Sequence, residues 1–207
     1  MIVHEFEQGS PEWYNIRIGK VTGTTLKDVM KPDNLPLVDS LIGQLLSGMG
    51  ELDDYMSDDM QRGIELQPIA IDFYQQETGL VVSPAGFLQS TRFERFGMSP
   101  DGLVGKVGGI EVKCPKTKTH VKYLRMNQLP NDYRWQVISA FMINPELEWW
   151  DFISFDPRVS QRPLFIHRTK REDVTDDIKS GLDALEKFFE KLDKYHKQIL
   201  FPEKVAA

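Results

Sequence analysis

The sequence has few residues of the kinds that build disulfide frameworks, zinc sites or membrane spans. Its single cysteine, Cys114, excludes an intramolecular disulfide framework and a zinc site made of several cysteines. The four histidines, His4, His120, His167 and His196, are scattered without metal-ligand spacing, so we expect none of them in catalysis. No apolar run is long enough to span a membrane, and the N-terminus lacks the features of a signal peptide. We therefore expect a cytoplasmic protein that does not associate with membranes.

Composition and charge describe an ordinary globular chain with one unusual segment. At 207 residues, with 41% hydrophobic and 27% charged residues, the chain predicts a single α/β domain over residues 1–207. A net charge of −6 argues against a protein that coats nucleic acid by bulk electrostatics. Between Lys106 and Arg125, however, the chain has six lysine or arginine residues and only one acidic residue, Glu111. This pattern allows a focused nucleic-acid groove on an otherwise acidic surface.

The most informative stretch is residues 97–115. It predicts a turn carrying Asp101, a short strand at Leu103 and Val104, a tight turn at Gly108-Gly109, and a second strand over residues 110–114. Side chains alternate along a strand, so Glu111 and Lys113 should point the same way while Val112 packs inward. One hairpin would then present Asp101, Glu111 and Lys113 together.

These residue types suit hydrolysis of a phosphodiester. Two carboxylates can share Mg²⁺, which takes oxygen ligands and keeps some of its waters, and the backbone carbonyl of Val112 could add a further ligand. An ammonium group beside them could act on the attacking water. On spacing alone, a solvated hairpin with a cross-strand ion pair is the simpler interpretation.

The flanking residues favour the catalytic interpretation. Ser99-Pro100-Asp101-Gly102, followed by Gly109-Ile110-Glu111-Val112-Lys113-Cys114-Pro115, resembles the PD-(D/E)XK nucleases. Within them it resembles the phage lambda exonuclease-like (YqaJ viral recombinase) family of 5′-to-3′ exonucleases. The resemblance implies a restriction-endonuclease-like core, in which a mixed central sheet is flanked by helices. It also implies Mg²⁺, with Mn²⁺ as a substitute, held by Asp101, Glu111 and the Val112 carbonyl, with Lys113 as a catalytic residue.

A second set of residues near the N-terminus suits an anion. Ser10-Pro11-Glu12 predicts a helix start, and Trp13 and Arg17 share one face of that helix. Thr22 to Thr25 opens another short helix, whose free amides could bind a phosphate. Locally, two ordinary capped helices with an exposed arginine explain the same pattern. The family resemblance implies a 5′-phosphate pocket made by Arg17, Thr24, Ser99 and Gln136, in a segment that includes Trp13.

One helix carries a departure from the family pattern. Residues 58–76 predict a helix in which Pro68 should cause a kink or a late start. The resemblance places a catalytic carboxylate at the position of Gln67, which brings no charge but can hold a metal-bound water. Glu65 lies two residues away, on a different face of the helix. Which of the two serves the site is left open.

The remaining chain predicts further elements of an α/β fold. We expect strands over residues 2–6, 80–82, 86–96, 147–155 and 163–167, a helix over residues 132–142 that carries Gln136, and a basic linker after Lys118. A long final helix should follow a capping box at Thr169 and Glu172. Its apolar stripe should pack onto the sheet: Val174, Ile178, Leu182, Leu185, Phe189, Leu192 and Ile199.

Three functions stay open on this evidence. The first is a Mg²⁺-dependent exonuclease that degrades one strand of linear double-stranded DNA from its 5′ end. The second is an endonuclease on the same core, and the third is a non-catalytic module that binds DNA ends and has lost one carboxylate at Gln67. For the first, the resemblance implies double-stranded DNA ends as substrate, a ring-shaped homotrimer, and a single-strand annealing recombination protein as partner.

Overall fold

The structure is a computed structural model that describes residues 1–50 and 57–202. The first range contains β1 (Ile2–His4), α1 (Pro11–Arg17), β2 (Val21–Thr22), α2 (Leu26–Val29) and α3 (Leu35–Ser47). The second range begins with α4 (Asp58–Thr78) and continues through β3 (Val82–Ser83), β4 (Phe87–Gln89), β5 (Phe96–Met98), β6 (Gly102–Val104) and β7 (Gly108–Lys113). It ends with α5 (Thr117–Met126), α6 (Asn131–Ile143), β8 (Trp149–Phe155), β9 (Leu164–Lys170), a 3₁₀ turn (Arg171–Val174) and α7 (Thr175–Leu200).

The central sheet has five strands in the order β3-β6-β7-β8-β9. Strands β7 and β8 run parallel, and the other neighbouring pairs are antiparallel, so the sheet is mixed. This confirms the predicted α/β class with a mixed central sheet between helices. A second sheet, of order β1-β4-β5-β2, is not predicted by the sequence.

The two faces of the central sheet pack against different helices. Ile110 and Val112 of β7 share one apolar cluster with Ala70 and Tyr74 of α4. On the other face, Phe152 of β8 belongs to the larger core formed with α6 and α7. The register pairs Glu111 with Phe152 and Lys113 with Ser154, so both charged residues of β7 lie on this second face.

The hairpin turn lies elsewhere than predicted. Gly108 and Gly109 are paired residues of β7, and the chain reverses just before them, where Gly105 adopts φ +58°. A Cβ on Gly108 would lie 2.2 Å from Cζ2 of Trp149, and one on Gly109 would lie 2.2 Å from Cζ3 of Trp150. These glycines therefore make room for two indole rings rather than for a turn.

Two predictions around the helices are wrong. The expected basic linker after Lys118 is the helix α5, because His120 and Tyr123 form a buried face that fixes it on the sheet. The expected capping box does not exist, because Thr169 still pairs with Trp150 in the β8–β9 ladder. Helix α7 starts only after a 3₁₀ turn.

Other elements differ in their limits. The strand expected over residues 86–96 is two separate strands, β4 and β5, and the opening strand ends at His4. Helix α4 begins at Asp58 with Pro68 inside it, so the late start is wrong. The predicted apolar stripe is buried except at Ile199, but its first residue, Val174, ends the 3₁₀ turn. Helix α7 packs mainly against α2, α3 and α6, and not directly onto the sheet as predicted. In the described ranges, no helix is long and apolar enough to cross a membrane.

Candidate active site

Asp101 is held by contacts from two different elements. Its Oδ2 accepts a hydrogen bond from the backbone N–H of Val112 at 2.6 Å, across the β6–β7 hairpin. Its Oδ1 accepts one from Nε2 of Gln67, on α4, at 2.9 Å. The hairpin and α4 therefore fix both oxygens of this carboxylate.

Asp101, Glu111 and Lys113 form a charged cluster. Glu111 is its most enclosed member, with 1% of its surface exposed. Its Oε1 lies 2.5 Å from Nζ of Lys113 and accepts a hydrogen bond from Nε2 of Gln136 at 2.6 Å. Its Oε2 is buried and has no hydrogen-bond partner within residues 1–50 and 57–202. A buried carboxylate oxygen without a donor is costly, so this atom is suited to a ligand.

Burial makes the two carboxylates hard to ionise. Burial and the nearby charge of Asp101 together raise the pKa of Glu111 to about 7, against the opposing effects of Lys113 and Gln136. Burial also raises the pKa of Asp101. For Lys113, burial lowers the pKa, but the two carboxylates outweigh it and raise the pKa overall. The cluster is therefore short of positive charge.

This donor set fits a hard divalent cation. It offers carboxylate oxygens from Asp101 and Glu111, the free Oε2 among them, and the amide of Gln67 beside Asp101. The part of the chain that the structure describes contains no group of three or more His, Cys, Asp or Glu residues able to hold a metal. A cation here would therefore complete its shell with neutral protein oxygens, water or substrate. The Val112 carbonyl remains a predicted ligand.

The structure distinguishes between the two candidate residues of α4. Gln67 faces Asp101, whereas Glu65 is exposed and accepts a hydrogen bond from Gln61 at 2.8 Å. Gln67 is therefore the α4 residue that reaches the carboxylates.

Part of the predicted phosphate pocket is assembled around Ser99. Its Oγ accepts hydrogen bonds from Nε1 of Trp13 at 2.7 Å and from Nη1 of Arg17 at 3.3 Å. Cζ of Arg17 lies 4.2 Å from the centroid of the Trp13 ring. Burial lowers the pKa of Arg17, but a guanidinium stays protonated. No carboxylate pairs with it in the described ranges, so this cation is available to an anion.

The other two pocket residues are placed differently. Thr24 lines the same cleft as Arg17, a cavity of about 640 Å³, and its Oγ1 lies 2.9 Å from Oγ1 of Thr22. Gln136 instead contacts Glu111, so its amide belongs to the carboxylate cluster. The structure therefore groups Trp13, Arg17 and Ser99, with Thr24 in the adjoining cleft.

Tyr133 is a neighbour of the site that the sequence analysis does not identify. Nζ of Lys113 lies 5.3 Å from the centroid of its ring, which also stacks on Phe152. The available signal is its place one helical turn before Gln136 on α6. Among the histidines, His120 is buried and contacts Ser154 and the carbonyl of Arg162, which is a packing role.

The fold and the charged hairpin place this chain in the class of PD-(D/E)XK-type folds. It is similar to the crystal structure of an alkaline exonuclease (LHK-Exo) from Laribacter hongkongensis, with a TM-score of 0.82 and 32% identity, covering 92% of this chain and 96% of that one. The structure of LHK-Exo in complex with dAMP gives a TM-score of 0.80 and 31% identity over 92% and 98% of the two chains.

The family follows from the sequence match. A family model described as a YqaJ-like viral recombinase domain matches residues 12–144, and the chain belongs to this family. A phage-related exonuclease from Haemophilus somnus 129PT shares the fold, with a TM-score of 0.57 and 16% identity over 87% of this chain and 95% of that one. No curated protein matches the chain.

Proposed function

We propose that this protein is a Mg²⁺-dependent exonuclease. It degrades one strand of linear double-stranded DNA from 5′ to 3′ and leaves a 3′ single strand for recombination. The observation that carries the proposal is the cluster of Asp101, Glu111 and Lys113, in which the buried Oε2 of Glu111 has no partner in the described ranges. Membership in the YqaJ-like family and similarity to an alkaline exonuclease support the same reaction class.

Each residue has a part in this mechanism. Asp101 and Glu111 would hold a Mg²⁺ ion, or Mn²⁺ in its place, and the ion would activate a water molecule and offset the charge that develops on the phosphate. Gln67 and the Val112 N–H hold Asp101 in place. Lys113, next to Glu111, orients the attacking water and neutralises the transition state.

Selection of the DNA end rests on the residues around Ser99. Arg17 is a cation without a carboxylate partner in the described ranges, and it lies within hydrogen-bond distance of Ser99. A guanidinium can bind a terminal phosphate through two hydrogen bonds, and that phosphate carries more charge than an internal diester. An endonuclease has no need of such a group, so this arrangement favours an exonuclease.

The family resemblance extends the proposal to assembly and partners. We propose that the protein forms a ring-shaped homotrimer that encloses the duplex and that it acts in the cytoplasm. Its proposed partner is a single-strand annealing recombination protein that binds the 3′ strand. Sedimentation of the purified protein tests the trimer, and a monomer at working concentration would contradict it.

The function is tested on labelled duplexes of three shapes: linear, nicked circular and closed circular. We expect loss of the 5′-labelled strand of the linear duplex in Mg²⁺ and no cleavage of the closed circle. Ca²⁺ should support DNA binding without cleavage, because it prefers more ligands and looser geometry than Mg²⁺. Cutting of the closed circle supports the endonuclease instead, and binding without any cleavage supports the end-binding module.

Substitutions assign the chemistry to the cluster. Glu111→Ala and Lys113→Met should each abolish degradation and leave DNA binding in place, because these side chains act on metal and water. Glu65→Ala is the matched control, since this exposed carboxylate contacts Gln61 and not the cluster. Normal turnover by Glu111→Ala contradicts the assignment.

A further inference from the structure

Helix α5 presents three cations on one exposed face. Lys118, Lys122 and Arg125 are spaced four and three residues apart, which places them on the same side of the helix. In the described ranges none of them forms an ion pair with a carboxylate. We call these three residues the α5 cationic stripe.

The helix dipole accounts for only one residue of the stripe. Arg125 lies in the last turn of α5, where a cation is favoured, but Lys118 lies in the first turn, where acids are favoured over bases, and α5 contains no acidic residue to pair with Lys118 or Lys122. The lysines of α7 differ in having acidic residues on the same helix, because α7 contains six acidic residues and five lysines. In a chain of net charge −6, an uncompensated run of cations therefore needs another explanation.

The opposite face of α5 is fixed rigidly to the sheet. Nδ1 of His120 lies 2.8 Å from Oγ of Ser154, and the Tyr123 ring meets the Phe152 ring edge-on at 5.8 Å. The hydroxyl of Thr117 donates to Asp156 at 2.6 Å. A partner that binds the stripe therefore meets a helix that is already ordered.

The anchors of α5 also place the stripe beside the candidate active site. Phe152 is the register partner of Glu111, and Ser154 is the partner of Lys113. Helix α5 therefore covers the strand next to β7, on the face where Glu111 and Lys113 lie. The stripe lies on the outer side of this helix.

We propose that the α5 cationic stripe binds the phosphate backbone of the duplex while its end is in the active site. The inference rests on the proposed function and adds a DNA contact outside the cleft that contains Arg17. From Lys118 to Arg125 the helix rises about 10 Å, which is roughly the axial length of three phosphates on one strand. Contacts of this kind are independent of base sequence and weaken with salt.

The test measures DNA affinity against salt concentration. A fluorescent linear duplex with a 5′-phosphate is titrated in Ca²⁺ with the wild type, with Lys118→Ser/Lys122→Ser/Arg125→Ser, and with a control, Lys179→Ser/Lys187→Ser/Lys194→Ser. The control removes three exposed lysines of α7 that make no ion pair in the described ranges. It therefore changes the net charge by the same amount.

We expect the stripe variant to bind at least tenfold more weakly at 150 mM salt, and its salt slope to fall by about 2 to 3, since each phosphate contact contributes about 0.9. Its preference for a 5′-phosphate over a 5′-hydroxyl should not change. Equal affinity and slope in the stripe and control variants would overturn the inference, even if the wild type degrades DNA as proposed. Failure of the wild type to bind or degrade any DNA end instead overturns the proposed function.

A folding defect is checked separately. Thermal unfolding of the stripe variant should match that of the control, because all three side chains are exposed. If the triple variant does not fold, Lys122→Ser alone should still reduce the salt slope by about 1. An unchanged slope in that folded variant would also overturn the inference.

Discussion

Gln136 and Glu111 are joined by a hydrogen bond of 2.6 Å that connects α6 to strand β7. The sequence resemblance assigns Gln136 to the terminal-phosphate pocket, but its amide contacts the carboxylate that we propose as a metal ligand. The same oxygen of Glu111 also meets the ammonium of Lys113. If Glu111 holds a metal as we propose, Gln136 acts on a metal ligand.

Gln136→Leu should weaken Mg²⁺ binding measured by calorimetry by roughly tenfold. The substitution removes a donor from a buried carboxylate, at a cost of about 1.5 to 3 kcal/mol, and disfavours the charged form that binds the metal. The matched control is Gln61→Leu, because Gln61 donates to an exposed carboxylate, Glu65. Unchanged Mg²⁺ affinity in Gln136→Leu, together with a lost preference for 5′-phosphate, would restore Gln136 to the pocket alone.

Asp156→Asn should destabilise the protein by about 1 to 2 kcal/mol at pH 7. Burial raises the pKa of Asp156, but hydrogen bonds from Arg158 and Thr117 outweigh it and lower the pKa to about 2. A carboxylate with a lowered pKa stabilises the fold above its unfolded pKa and loses that effect as pH falls through the folded value. The difference between variant and wild type should therefore shrink between pH 4 and pH 2.

Urea unfolding at pH 7, 5 and 3 measures this difference. The control is Asp193→Asn, because Asp193 is an exposed partner of Arg95 and should contribute well under 1 kcal/mol. A penalty for Asp156→Asn that stays constant down to pH 3 would mean that the charge of Asp156 does not stabilise the fold.

The thiol of Cys114 should react slowly. Burial raises its pKa to about 11, so very little thiolate exists at pH 8. We expect alkylation by iodoacetamide, followed by mass spectrometry, to be about a hundredfold slower in the native protein than in urea. Equal rates in both conditions would show that the end of β7 is open to solvent.

Local sequence patterns predict the structure correctly where the interacting residues are close together in the chain. Ser10 caps α1, accepting the N–H of Trp13 at 3.2 Å, and Arg17 lies over the Trp13 ring as their spacing predicts. Alternation along β7 correctly places Glu111 and Lys113 on one side. In each case the interacting residues are close in sequence, so their geometry follows from helix or strand periodicity.

Local patterns mislead where contacts with distant residues determine the structure. Gly108 and Gly109 resemble a turn, but their small size serves Trp149 and Trp150, which lie some forty residues later in the chain. In the sequence, α5 resembles a basic linker because its lysines and arginine are obvious. The contacts that anchor it, from Thr117 to Asp156 and from His120 to Ser154, depend on residues far along the chain. The contact of Gln136 with Glu111 depends on how α6 packs on the sheet. None of these packing relationships has a local sequence signal.

We propose that the protein recognises the 5′ end of DNA and hydrolyses the chain from there. The most direct measurement is the ratio of single-turnover rates on 5′-phosphorylated and 5′-hydroxyl linear duplexes, for the wild type, Arg17→Ala and a control, Arg92→Ala. Arg92 is an exposed arginine that does not line the cleft. Loss of a charge-assisted contact costs about 1.5 to 3 kcal/mol, or roughly ten- to a hundredfold in rate.

We predict that the wild type and Arg92→Ala prefer the phosphorylated end by roughly ten- to a hundredfold. In Arg17→Ala this preference should be lost, while the rate on the hydroxyl end changes little. Equal rates of the wild type on both ends would contradict the account.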